Sequence, residues 1–167
     1  MATIHRVLGI DTSLRSTGVA VIEQRGSSFL VRASGLVKNP ATRPHTACLA
    51  NLFESVRDLI AKEQPQEVAI ENIFFCKNVR TAVVLGQARG AVLAACAMAG
   101  VPVYEYAPRR VKQAVVGFGG AHKDQVGKMV SAMLGLKEIP PDDISDAMAL
   151  AICHLHQLRG PARGDPI

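Results

Sequence analysis

VLGIDTSLRSTGVAVI, residues 7–22, is the stretch on which the reading of the chain turns. Val7 to Ile10 is a short apolar run ending at Asp11, which reads as a buried strand with a carboxylate at its exit. Residues 12–18 are polar and end in Gly18, the composition of a turn, and residues 19–22 return as a second strand, so the stretch is a hairpin. A second turn over 24–28 then leads into a third strand over 29–37, making an antiparallel meander.

Outward from the hairpin the period changes. Leu49, Phe53, Val56, Leu59 and Ile60 recur at helical spacing, predicting a helix over 46–63 with Thr46 as its cap. Residues 67–71 form a fourth strand ending at Glu71. A long, mostly apolar helix follows over 78–99, then a strand over 101–106. Pro108 opens a short helix to 116, a Gly-rich turn carries Gly117, Gly119 and Gly120, and a helix spans about 122–134. Pro140-Pro141 precedes a last helix over 142–158. The order β-β-β-α-β-α-β-α-α-α predicts an α/β fold whose mixed five-stranded sheet, an antiparallel meander extended by parallel strands, is flanked by helices. Residues 1–158 read as one domain and 159–167 as a flexible tail.

Bulk properties narrow the function. A chain of 167 residues, 49% hydrophobic throughout its length, suits a single globular core. No apolar run of about 18–20 residues is evident, nor a signal-peptide pattern, so the expectation is a cytoplasmic protein without a membrane partner. Cys48, Cys76, Cys96 and Cys153 form no C-x-x-C pair, which predicts structural thiols rather than a zinc site or disulfide frame. His154 and His156, two apart on a helix, do not face one another and read as structural. The formal net charge is +5, and between Lys77 and Lys128 only Glu105 and Asp124 oppose a run of lysines and arginines. That is a footprint for a polyanion, although charge alone is shared with basic enzymes that bind no nucleic acid.

Four carboxylates are placed for chemistry. Asp11 and Glu71 each end an apolar strand, and Asp143 and Asp146 lie three apart, on one face of the last helix's first turn. Singly each has a plain explanation: Asp11 as a turn residue, Glu71 as an exposed strand end, Asp143 or Asp142 as a cap, Asp146 as an acid favoured by the helix dipole. Asp142 fits the cap best and is left out of the site. If the first and fourth strands are neighbours and the last helix crosses their ends, the four would gather within a few ångströms and repel one another. Hard divalent cations relieve such repulsion: oxygen-only ligands suit Mg²⁺, with Mn²⁺ as substitute, and two ions can activate water and stabilise the leaving oxygen of a phosphodiester.

Together with these acids, several blocks resemble the RuvC-type Holliday-junction resolvases of the ribonuclease-H-like superfamily. They are Leu8-Gly9-Ile10-Asp11 with Ser16-Thr17-Gly18, Ala69-Ile70-Glu71, Lys77-Asn78, Leu85-Gly86-Gln87-Ala88-Arg89-Gly90, Tyr106-Ala107-Pro108-Arg109 with Val111-Lys112-Gln113, and Asp143-Ile144-Ser145-Asp146-Ala147. The blocks keep the family's order over about residues 6–156; the L-G-Q-A-R-G and V-K-Q blocks are specific, whereas an isolated G-I-D is not. Thr12-Ser13 departs from the Pro-Gly that often follows the first aspartate, and Asp143 stands where some relatives carry His. The resemblance implies a ribonuclease-H-like fold and a Mg²⁺-dependent crossover junction endodeoxyribonuclease, with two ions per site held by Asp11, Glu71, Asp143 and Asp146. It implies a homodimer that nicks two opposed strands of a four-way DNA junction symmetrically, in recombination and repair, alongside a branch-migration helicase complex.

The same resemblance makes Phe74 a contact to unstacked bases and Lys112 and Lys123 contacts near the scissile phosphate. Lys77, Arg80 and Arg109 are further DNA-binding candidates. From residues alone, Phe74 and Phe75 point to opposite faces if extended, and either can be core; the lysines can be ordinary surface charges. Gly86 and Gly90 give the long helix a face of small residues that would admit either the sheet or a partner subunit. Three rival functions remain: an ATP-binding protein of the actin-like class, which shares the Gly9–Gly18 hairpin but is usually twice as long; a non-catalytic nucleic-acid-binding module, which would have lost acids; and a small nuclease acting on RNA.

Overall fold

A computed structural model describes residues 4–72, 78–158 and 164–167. Its strands are β1 (Ile4–Asp11), β2 (Ser16–Arg25), β3 (Ser28–Lys38), β4 (Glu67–Glu71) and β5 (Val103–Tyr106). The helices are α1 (His45–Glu63), α2 (Val79–Met98), α3 (Pro108–Val116), α4 (Lys123–Leu134) and α5 (Asp142–Gln157). Sheet order is β3-β2-β1-β4-β5, with β1–β2 and β2–β3 antiparallel and β1–β4 and β4–β5 parallel. This is the expected mixed sheet.

The central strands read as continuous apolar runs because both sheet faces are covered. Val7, Ala20, Ile22 and Ala69 face a core completed by α5. Their neighbours Leu8, Ile10, Val21, Val68 and Ile70 face the opposite core, with Val56 and Ile60 of α1 and Val92 of α2. Two glycines let α5 lie directly on the sheet backbone. A Cβ at Gly9 would stand 1.9 Å from the Ala147 carbonyl oxygen, and one at Gly18 would stand 1.8 Å from that of Asp143. Gly18→Ala therefore forces the start of α5 off the sheet. The expected cost is about 1–3 kcal/mol, seen as a lower denaturant midpoint; an unchanged midpoint would mean that α5 does not need the close approach.

Element ends differ from the sequence reading for identifiable reasons. The predicted turn over 24–28 shrinks to Gly26 and Ser27 because Glu23, fully buried, continues β2. Its charge is met by Arg6 Nε, which donates at 2.6 Å, and by Arg25. Thr46 is not a cap: α1 starts at His45 behind Pro44, with no side-chain cap bond. Asp142 is not a cap either, since Pro141 takes that position and Asp142 is already helical. Asn78, by contrast, does cap α2, accepting from the Thr81 amide at 3.1 Å.

By length and hydropathy (mean 1.4) α2 could cross a bilayer, which the expectation of no spanning segment passed over. It packs on α1, and Arg89 within it donates to the Glu71 carbonyl at 2.7 Å and to the Glu105 carboxylate, so the helix is tied by a charge to the sheet's exit edge. The small-residue face is not pressed on the sheet: a Cβ at Gly86 or Gly90 meets nothing within 4 Å. Cys48, Cys96 and Cys153 are free and buried; Cys76 lies outside the described residues. His154, also buried, joins Tyr106 and Glu67 through its two ring nitrogens at 2.6 and 2.8 Å, the structural role expected of it. Of the tail, the Ile167 amide donates to the Val103 carbonyl at 3.0 Å.

Candidate active site

β1 and β4 are parallel neighbours with Ile10 opposite Ile70, so the residues that follow, Asp11 and Glu71, leave the sheet side by side at one edge. Asp11 also faces Gly18 across the hairpin, and Gly18 is where α5 touches down. The first turn of α5 thus arrives beside Asp11, bringing Asp146 to the same place. A cleft of about 260 Å³ opens there, lined by Asp11, Glu71 and Asp146, by Lys112 and Pro108 of α3, and by Lys123 of α4.

The electrostatics record the crowding. Burial, then the charges of Asp146, Glu71 and Asp143, push the Asp11 carboxyl up to about 7, against the pull of Lys123. Glu71 is raised as well, by desolvation and then by Asp146, with Lys123 and Lys112 opposing. The Lys123 ammonium donates to Asp146 Oδ2 at 3.0 Å, and that hydrogen bond raises its own pKa. Lys123 occupies the position of a stand-in cation in an over-acidic pocket.

Asp143 behaves differently from the sequence expectation. It acts on Asp11 electrostatically but does not line the cleft; its Oδ2 accepts from the Ser16 hydroxyl at 2.6 Å. Helical i, i+3 spacing put both acids on one face, and β2 then took one of them. Among the described residues no three His, Cys, Asp or Glu side chains form a preformed metal-ligand group. The donor chemistry still fits a hard cation: every candidate ligand is a carboxylate, and one is already neutralised by a bound ammonium.

Ser16 escaped the sequence reading as a site residue, although it sits in the quoted Ser-Thr-Gly block. Thr12-Ser13, replacing Pro-Gly, is rebuilt by hydroxyls. The Ser13 amide donates to Thr17 Oγ1 at 3.0 Å, the Ser13 hydroxyl donates to the Ser16 carbonyl at 3.0 Å, and the Thr17 hydroxyl donates to the Ser13 carbonyl. The turn is thereby latched without proline, and Ser16 is held where it reaches Asp143. Ser16→Ala is expected to cost about 1–2 kcal/mol, a melting-temperature drop of roughly 2–8 °C, with Ser16→Thr retaining most of the stability. Equal melting of all three proteins would show that the bond carries no stability.

Of the DNA-binding candidates, Lys112 and Lys123 border the cleft. Arg109 is exposed on α3, its side chain against Gly119. Arg80 is exposed in the first turn of α2. Phe74 and Lys77 lie outside the described residues. Arg89, which ties α2 to the Glu71 carbonyl, was visible in the sequence as a member of the L-G-Q-A-R-G block and of the basic run, but not as a residue that supports the site.

The family model described as crossover junction endodeoxyribonuclease RuvC matches residues 7–154. A protein of that name from Trichlorobacter lovleyi is 49% identical over 162 residues, 94% of this chain and 91% of the relative. Another, from Desulfitobacterium hafniense, is 46% identical over 153 residues, 91% of this chain and 93% of the relative. The structure of T. thermophilus RuvC in complex with Holliday junction substrate superposes with a TM-score of 0.92 at 35% identity, covering 98% of this chain and 99% of that one.

Proposed function

The chain belongs to the RuvC family of crossover junction endodeoxyribonucleases, and from that membership we propose that it resolves Holliday junctions through the cleft between β1, β4 and α5. The observation that carries the assignment to this cleft is the meeting of Asp11, Glu71 and Asp146, from three separated elements, beside Lys112 and Lys123. Acids alone would suit many metal sites; acids bordered by two lysines suit a cation held against a phosphodiester.

Asp11, Glu71 and Asp146 would hold the divalent metal, with Asp143 joining from its place beside Ser16. When bound, Mg²⁺ (or Mn²⁺), two ions per site, supplies charge neutralisation at the scissile phosphate and acidifies water for attack. The chain's own residues do the rest. Asp11 gives up the proton that burial and its neighbours favour. Lys123, which now holds Asp146, would be free to meet phosphate once that carboxylate served as a ligand, and Lys112 would meet the DNA backbone from α3. Ser16 keeps Asp143 from swinging away, and Arg89 anchors the main chain behind Glu71.

The working assembly is a pair of copies, each nicking one of two opposed strands of the four-way junction and leaving 5′-phosphate and 3′-hydroxyl ends. It acts in the cytoplasm beside a branch-migration helicase complex. Family membership and the junction named in the T. thermophilus complex support this reading. The test is to incubate purified protein with labelled four-way junction, linear duplex and RNA–DNA hybrid, with and without Mg²⁺. Paired, ligatable nicks in the junction alone, and only with metal, are expected. Preferential cutting of the hybrid, or metal-independent cutting, would refute the assignment.

A further inference from the structure

Phe118 is a large apolar side chain at the surface, 66% exposed, on the loop between α3 and α4. Single exposed apolar residues are common and need no purpose. This one is held in place. The loop leaves α3 at Gly117, whose φ of 81° turns the chain sharply, and it closes by the amide of buried Ala121 donating to the Phe118 carbonyl at 3.3 Å. The ring lies over Gly120, where a Cβ would stand 2.7 Å from its Cζ. Next to it, a Cβ at Gly119 would stand 2.5 Å from Arg109 Cγ and 3.1 Å from the Arg109 carbonyl oxygen. The loop therefore folds back on the first turn of α3, next to Pro108, which lines the catalytic cleft.

The surroundings are cationic. Arg109 touches the loop, Lys112 is on the preceding helix, and Lys123 begins the following one; both lysines line the cleft. An aromatic plane seated on Gly120, in a loop that touches Arg109 and joins the helices bearing Lys112 and Lys123, matches the composition of a nucleic-acid stacking platform: the cations take backbone phosphate while the ring takes a base or sugar face. A protein partner that prefers an apolar surface would be badly matched by these flanking cations.

We infer that Phe118 is a DNA-contacting residue of the junction resolvase, its ring packing on a nucleotide beside the strand that enters the cleft; this rests on the functional reading above. The exposed ring makes substitution safe for folding. Phe118→Ala is expected to weaken junction binding, measured in Ca²⁺ or EDTA, by roughly fivefold to a hundredfold. The loss should be the same at every salt concentration, because no charge has been removed. Lys112→Ala should instead flatten the salt dependence. Phe118→Tyr should restore binding, and Phe118→Leu should restore little of it.

The chain contains no tryptophan, so Phe118→Trp installs a single reporter whose emission should be quenched as junction saturates the protein. Two failures are distinguishable. If the unaltered protein neither binds nor cuts a junction, the functional reading fails and this inference with it. If the unaltered protein cuts, while Phe118→Ala binds equally well and the Trp emission stays constant at saturation, the inference alone is overturned. An emission change that follows protein concentration without DNA would overturn it too, assigning the ring to a contact between copies.

Discussion

Asp11→Asn should lose junction cutting by about a thousandfold, the loss of several kcal/mol of transition-state stabilisation, and yet melt higher than the unaltered protein in EDTA. The two effects have one origin. Asp11 is a carboxyl whose pKa the fold raises to about 7 from an ordinary value of 3.8, chiefly by burial and then by three acidic neighbours. Above pH 7 the folded protein carries that charge at a penalty that the unfolded chain does not have. Between about pH 4 and 7 the folded form binds a proton that the unfolded form has released, so this group's contribution makes stability fall as pH rises through that window. Asparagine removes the penalty. Allowing for solvent and for the compensating ammonium of Lys123, a gain of about 2 kcal/mol is expected, roughly 4–8 °C in a domain of this size. The advantage should shrink below pH 7, vanish near pH 4, and be reversed by Mg²⁺, which stabilises only the protein that keeps the carboxylate. An Asp11→Asn protein that melts lower than the parent at pH 8 without metal would mean that Asp11 is a structural residue. Scanning calorimetry at three pH values, with cutting assays on the same samples, decides the matter.

Much of this is legible in the sequence itself, and the boundary has physical causes. Apolar runs buried on both faces announce central strands, and an acid ending such a run is conspicuous because water and charge resume there. Asp11 and Glu71 were therefore readable from one dimension. Their adjacency needed only the rule that parallel strands extend a sheet through helical crossovers. The fate of Asp143 was not readable. Helical spacing places it beside Asp146, but whether its carboxylate turns to the cleft or to Ser16 is decided by how closely α5 sits on Gly18, a tertiary distance. Gln24 and Arg25 were placed in the turn for a related reason: polar residues signal a turn unless pairing of the strands brings partners alongside, as it brings Arg6 to the neighbouring Glu23. The prolines before α1 and α5 took cap positions that the more familiar threonine and aspartate seemed to claim. Phe118 carried no signal whatever, since a loop aromatic has no period, and only its lodging over Gly120 beside Arg109 distinguishes it.

The apparent affinity for divalent metal should fall about tenfold for each pH unit below 7 and level off above it. A carboxylate must be deprotonated to ligate, so a proton on Asp11 and a cation at the cleft exclude each other. With a single competing proton, raising Mg²⁺ tenfold moves the midpoint of the cutting profile down by about one pH unit. Glu71, raised in the same direction, steepens the dependence where its own proton also has to leave. An ordinary carboxylate site, deprotonated well below pH 5, would bind metal with constant affinity over this range, so the slope distinguishes a crowded quartet from four independent acids. Lys123 opposes the effect, because its ammonium already satisfies Asp146 and must be displaced. Lys123→Ala should therefore tighten metal binding to the DNA-free protein while weakening cutting, a division that neither misfolding nor a simple loss of charge produces. Metal-induced melting shifts at several pH values give the binding curve without DNA, and cutting rates against Mg²⁺ give the same curve with it. Agreement of the two slopes places the titrating group in the metal site, whereas pH-independent binding with pH-dependent cutting would move it to the DNA and remove Asp11 from the ligand set.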